Sequence, residues 1–294
     1  MIKKVAAIHD LSGYGRASLT AIIPTLSTMG VQVCPLPTAI LSNHTGGFDT
    51  FSYVDLTDSM EDYIDHWKKI GIDFDCIYSG FLGSHRQIDI VSNFIKDFRR
   101  DGTNGTPKTL VVVDPVMGDN GKFYASFNWD FVPYMRQLVS KADVITPNFT
   151  EAALLLGLKE CPKSVSRDEI KGWLKKLSEM GPDIVVITSV PDKENPDKTD
   201  VVAYDKAADV CWKLSCHYIP ASYPGTGDTF TSVMIGCLLQ GESIPVALDR
   251  AIQFISQCIK ASYGFDYPKR NGVLLERELG ILRTRPLISD YDIL

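Results

Sequence analysis

The chain has 294 residues, 45% of them hydrophobic and 22% charged, with a formal charge of −6 and an isoelectric point near 5.4. That composition suits a globular protein with ample core, and its acidity offers no general attraction to nucleic acid or an anionic membrane surface. Neither a signal peptide nor a transmembrane span is expected, and seven scattered cysteines without a CxxC pair point to reduced thiols in a cytoplasm rather than a disulfide framework or a zinc site.

Short β-rich runs alternate with segments of helical apolar spacing, the pattern of a mostly parallel α/β sheet. In chain order the pattern predicts strands over 5–9 and 31–35, a helix over 56–70, a strand over 76–79, a helix over 87–98 and a strand over 110–114. A strand over 144–146, helices over 149–156 and 168–180 and a strand over 184–188 come next. The strands are short and apolar enough to be buried central strands, with helices covering both faces. Residues 191–200, PDKENPDKTD, carry two prolines and six charges and are expected to form an exposed loop flanking a nucleotide. Two antiparallel edge strands are predicted over 201–204 and 210–214, then a helix from Thr229 closed by Gly241.

Ligands of an open parallel sheet gather at the carboxyl ends of its strands. Here those ends are small and polar: His9-Asp10-Leu11-Ser12-Gly13-Tyr14-Gly15, Ser79-Gly80-Phe81, Asp114 through Asp119, Thr146-Pro147-Asn148 and Thr188-Ser189. The first run invites a dinucleotide-binding reading. It fails because Ser18 stands at the third glycine position and no acid follows about twenty residues after the strand. A Walker-type loop is absent too, since Gly121-Lys122 is followed by Phe123 instead of a hydroxyl.

The run ASYPGTGDTFTS, residues 221–232, sits at the start of the last predicted helix. Gly225, Thr226 and Gly227 would present backbone amides as an anion hole, and Asp228 beside it would accept a proton from an alcohol attacking phosphorus. Taken alone, Asp228 could equally be an early-turn acid and the glycines a tight helix entry.

Together with Leu41-Ser42-Asn43-His44-Thr45-Gly46, Asp114-Pro115-Val116-Met117-Gly118-Asp119, Thr146-Pro147-Asn148-Phe149-Thr150-Glu151 and Pro224 to Asp228, in that order, the chain resembles the ribokinase-like superfamily, in its pyridoxal kinase branch. The resemblance runs almost end to end. It implies one ribokinase-like kinase domain over 1–294, a three-layer α/β/α sandwich with a mostly parallel central sheet, and a homodimer. It implies transfer of the ATP γ-phosphate to the 5′-hydroxymethyl group of a vitamin B6 vitamer, with Asp228 as base. ATP and Mg2+ would be held by Asp114, Asp119, Asn148, Glu151, Thr188 and Ser189, with Asp114, Asp119 and Glu151 meeting the metal mostly through water. A monovalent cation is left open.

On the substrate side the resemblance implies Asp10, Ser12, His44, Thr45 and Phe81. Asp10 stands where these kinases usually carry serine, and Phe81 where they often carry tyrosine. Such changes would retune preference among vitamers or favour a pyrimidine. His44 could instead be a satisfied structural histidine. Two other readings stay open: a hydroxymethylpyrimidine kinase of the same superfamily, disfavoured because the opening AIHDLSGYGRAS lacks a glycine- and serine-rich start, and a non-catalytic nucleotide- or B6-binding protein.

Overall fold

A computed structural model describes residues 2–103, 107–193, 195, 197–284 and 291–294. The chain runs β1 (Lys4–Ser12), α1 (Leu19–Thr28), β2 (Gln32–Leu41), β3 (Tyr53–Asp55), α2 (Thr57–Lys69), β4 (Cys76–Ser79), α3 (His85–Phe98) and β5 (Leu110–Val113). A small hairpin of β6 (Gly118–Asp119) and β7 (Lys122–Phe123) leads to α4 (Val132–Val139), β8 (Val144–Ile145), α5 (Phe149–Leu156), α6 (Arg167–Ser178) and β9 (Ile184–Pro191). The chain ends with β10 (Lys198–Asp205), β11 (Val210–His217), α7 (Thr226–Leu239), α8 (Ile244–Tyr263), α9 (Leu275–Glu278) and β12 (Asp292–Ile293).

Among the described residues one sheet has the order β12-β11-β10-β9-β8-β5-β4-β1-β2-β3. From β9 through β2 neighbouring strands are parallel, while β3 and β10 to β12 join antiparallel at the two sides. Side chains alternate between faces along each strand. Ala6, Ile8, Ile77, Val111 and Val113 face α2 to α6, whereas Val5, Ala7, Cys76, Tyr78 and Val112 face α1, α7 and α8. The result is the expected three-layer α/β/α sandwich.

The four helices predicted between the early strands, 56–70, 87–98, 149–156 and 168–180, all pack on one face instead of covering both. The opposite face is closed by α7 and by two helices without a clear pattern in the sequence. Of these, α1 contains Pro24, which obscures its helical pattern, and α8 begins with Pro245 at its first turn. The strand predicted over 31–35 is not a buried central one: only the later part of β2 pairs with β3, so its first four residues are exposed or half-buried. The predicted loop over 191–200 is shorter, because Lys198, Thr199 and Asp200 already belong to β10. Glu194 and Pro196 lie outside the described residues.

Candidate active site

The helix carrying the GTGD run starts at Thr226, three residues before the predicted start, so Gly227 and Asp228 lie within its first turn. Gly225 precedes it in the left-handed region at φ 77°, and a Cβ there would fall 1.9 Å from the Arg16 carbonyl oxygen. Only glycine fits this close approach. By helix geometry the amides of Thr226, Gly227 and Asp228 have no acceptor within α7, which gives the helix its positive end. Gly227 has open space around its Cβ position.

Asp228 stands beside these amides with 15% of its side chain exposed. One carboxylate oxygen, Oδ2, accepts the Ser18 amide N–H at 2.8 Å, while Oδ1 lies 3.9 Å from His9 Nδ1. Burial pushes the Asp228 carboxyl up to about 6; the Ser18 amide pulls it back and the Asp10 charge adds to the rise. His9 is fully buried, its two ring nitrogens have no hydrogen-bond partner, and burial pushes it down to about 3, so it stays neutral. Beside it, the Tyr78 hydroxyl and Ser79 Oγ are also buried and unpartnered.

Asp114, at the end of β5, is held well above the carboxylate range by burial and by the charges of Glu151 and Asp228. These three acids therefore share one electrostatic neighbourhood. Glu151 is committed to hydrogen bonds within the chain. It forms a reciprocal capping box with Asn148 at the start of α5: Glu151 N–H donates to Asn148 Oδ1, and Asn148 N–H donates to Glu151 Oε2, each at 2.9 Å. The other oxygen, Oε1, accepts the Met117 amide at 3.0 Å, and burial pushes this carboxyl up to about 8 against those hydrogen bonds. The Asn148 amide group donates to the Gly118 carbonyl at 2.8 Å. Both residues thus tie the Asp114–Asp119 segment to α5. Asp119 is engaged by Asn120, whose backbone N–H and side-chain amide donate to its two oxygens.

Among the described residues no three acidic, histidine or cysteine side chains converge to cage a metal by themselves. A purely oxygen-bearing group of acids around Asp114 nonetheless fits Mg2+ held chiefly through water and phosphate oxygens, the coordination this ion prefers. Thr188 is half-buried and lies across a parallel bridge from Asn148; Ser189 is exposed with φ 58°.

At the other side of the site the β1–β2 register slips between His9 and Leu11, re-aiming the end of β1. Asp10 is 6% exposed there; its oxygens accept the Ser12 hydroxyl at 2.9 Å and the Ser18 hydroxyl at 2.5 Å. Burial pushes this carboxyl up and the two hydroxyls pull it back. His44 is committed within the chain, its Nδ1 accepting the Gly46 amide and its Nε2 facing the Arg270 carbonyl at 2.5 Å. The structural reading of His44 is thereby favoured. Thr45 is exposed, and Phe81 is half-buried with its ring centre 5.7 Å from that of Phe127.

Residues 13–273 match the phosphomethylpyrimidine kinase family, and a pyridoxal kinase from Lactobacillus plantarum is 31% identical over 96% of this chain and 97% of its own, at a TM-score of 0.85. The chain belongs to this family, in its pyridoxal kinase branch. A Bacteroides thetaiotaomicron protein provisionally named as a phosphomethylpyrimidine kinase, and crystallised with pyridoxal, is 53% identical over the whole of both chains at a TM-score of 0.94. The Arabidopsis thaliana pyridoxal kinase is 29% identical, covering 86% of this chain and 78% of its own.

Within this ribokinase-like kinase, three functional candidates escaped the sequence reading. Ser18 entered only as a failed glycine, yet its φ of 51° is a glycine-like conformation and its amide reaches Asp228. His9 was taken with the strand end, and nothing in its spacing announces that it faces Asp228. Tyr124, in the loop after β7, has its phenol held above the ordinary range by burial and by the charges of Glu151, Asp119, Asp114 and Asp228, which keeps its hydroxyl protonated.

Proposed function

We propose that the chain phosphorylates the 5′-hydroxymethyl group of pyridoxal, pyridoxamine or pyridoxine with ATP. The observation that carries this reading is the Asp228 carboxylate beside the unpaired amides of the first turn of α7, at the carboxyl ends of the parallel strands. Asp228 takes the proton of the acceptor hydroxyl as its oxygen bonds to the γ-phosphorus. The bond from that phosphorus to the β–γ bridging oxygen breaks, and ADP leaves with the electron pair. The amides of Thr226, Gly227 and Asp228 receive the charge that builds on the transferring group. Asp114 would hold Mg2+ through water, with Glu151 and Asn148 fixing the backbone around it; when bound, the ion neutralises phosphate charge.

The 53% identity to a protein crystallised with pyridoxal supports a B6 ring over a pyrimidine as acceptor. In this reading the chain works as one kinase domain, and Thr188 and Ser189 lie toward the nucleotide. All seven cysteines are free thiols, and no described helix is long and apolar enough to cross a membrane, features that suit a reducing cytoplasm. A homodimer would cover exposed Ile40, Phe51, Tyr53 and Val54 near the β3 edge.

ATP consumption measured in parallel with pyridoxal, pyridoxamine, pyridoxine, hydroxymethylpyrimidine and ribose tests the function. Turnover with B6 vitamers well above the others is expected. Preference for hydroxymethylpyrimidine would replace the reading with its nearest competitor, and no turnover with any acceptor would favour a binding role.

A further inference from the structure

We infer that Asp10 and Ser18 are positioning residues for Asp228, and that Asp10 acts through Ser18 instead of gripping the acceptor ring. The inference rests on the reading of Asp228 as the base. Its core is a continuous chain of contacts from the end of β1 to the first turn of α7. Asp10 Oδ1 accepts the Ser18 hydroxyl at 2.5 Å, and the Ser18 amide donates to Asp228 Oδ2 at 2.8 Å.

The direction of the Ser18 N–H depends on a backbone conformation that a non-glycine residue adopts only under restraint, φ 51° and ψ −134°. Two things restrain it. The hydroxyl is tied to a buried carboxylate, a charge-assisted bond of the stronger kind. Two residues upstream, Arg16 is wedged between two glycines: a Cβ on Gly225 would strike its carbonyl oxygen, and one on Gly272 would lie 2.9 Å from its Cβ. Arg16 is further held by the Asn271 carbonyl and by Glu276.

Pinning Oδ2 of Asp228 leaves Oδ1 as the oxygen available to receive a proton, since the His9 ring at 3.9 Å is too far for a hydrogen bond. A base held by one oxygen has its other oxygen aimed. Asp10, by contrast, is 6% exposed and already faces two hydroxyl donors from its own chain, Ser12 and Ser18. A donor from a bound ring is not required to satisfy it.

The test compares Ser18→Gly, Ser18→Ala, Asp10→Asn, Asp228→Asn and the double variant Ser18→Gly/Asp228→Asn, each with ATP and with pyridoxal, pyridoxamine and pyridoxine. Glycine accepts the backbone conformation, so Ser18→Gly should fold while lacking the tether. Its kcat should fall about 10- to 100-fold, the scale of a catalytic group displaced by about an ångström, by the same factor for every vitamer and with KM for ATP and acceptor within about twofold. On the Asp228→Asn background the same substitution should change the residual rate less than about twofold, because its effect passes through the missing base. Ser18→Gly lowering both backgrounds by one factor, or retaining wild-type kcat, overturns the inference. So does an Asp10→Asn variant that keeps kcat while shifting acceptor KM and the vitamer ratio, the mark of a ring contact. Failure of the underlying reading looks different: Asp228→Asn alone then retains turnover.

Discussion

Replacing Asp228 by asparagine removes the proposed base while keeping a side-chain oxygen able to accept the Ser18 amide. The wild-type carboxyl, pushed up to about 6, is about nine-tenths ionised one unit above that value and about one-tenth ionised one unit below it. A base works only in its ionised form, so kcat/KM should be level above neutrality and fall about tenfold for each pH unit on the acid side. The groups around Asp228 leave this limb legible. His9 stays neutral down to about 3, and the tyrosines Tyr78 and Tyr124 are held above their ordinary range. Asp114, Glu151 and Asp10, like charges nearby, are also pushed up, Glu151 to about 8, so the limb belongs to these acids together. In Asp228→Asn the rate above neutrality should drop about 10²- to 10⁴-fold and ATP affinity should hold, because the first-turn amides of α7 remain. Steady-state ADP release with pyridoxal, followed from about pH 5 to about pH 8, is the assay. An asparagine variant that folds and keeps a rate within about threefold of wild type would refute the role.

The two glycines of the proposed anion hole should separate fold from function. Gly225→Ala, with no room for a methyl against the Arg16 carbonyl and φ at 77°, should lower stability by about 2 kcal/mol or more, read as a drop in melting temperature. Gly227→Ala, whose Cβ meets nothing, should fold normally and weaken ATP binding because the methyl stands where phosphate would sit. Titrating with EDTA should abolish turnover and Mg2+ restore it; full activity in excess chelator would exclude the metal. His9 pushed down to about 3 in the folded chain binds fewer protons there than in the unfolded chain, so its contribution is intact above about pH 6.5 and is lost as pH falls toward 3. The urea midpoint of wild type should therefore fall relative to that of His9→Gln as pH drops from about 6.5 toward 3. The raised carboxyls have the opposite sign and cancel in the difference, and parallel midpoint curves would count against a neutral buried His9.

The sheet was legible because its strands are short, apolar and buried on both faces, so Cys76–Ser79 emerges with its observed ends, as does the helix Phe149–Leu156. The layer of α1, α7 and α8 was hard to read for a physical reason. Almost every residue from Thr229 to Cys237 is buried, so α7 has no polar stripe to mark its outward side, and prolines interrupt α1 and open α8. The acids Asp114 and Asp228 were each singled out by the motif they belong to, DPVMGD and PGTGD. Glu151 and Asn148 were expected to face one magnesium-phosphate cluster, and the N-F-T-E run is also a capping-box pattern, a local signal that competes with the metal reading.

The same contrast explains where chemistry and scaffolding divide in this fold. Groups whose hydrogen bonds are completed inside the chain, Glu151, Asn148 and His44, hold segments together. Groups left incomplete gather at the strand ends beside α7: Asp114 and Asp228 repel one another, the Thr226–Asp228 amides lack helical acceptors, and Tyr78, Ser79 and His9 are buried without partners. Each of these is costly when left unpaired. A cation among the acids and an anion at the amides would relieve two of those costs at once, which is what the proposed magnesium–phosphate ligand would supply. Ser18, strained and tied to Asp10, belongs with neither set: its hydroxyl is spent on the scaffold and its amide on Asp228, the proposed base. That double commitment is what a sequence motif cannot display, because it depends on bringing residues 10, 18 and 228 within hydrogen-bond reach of one another.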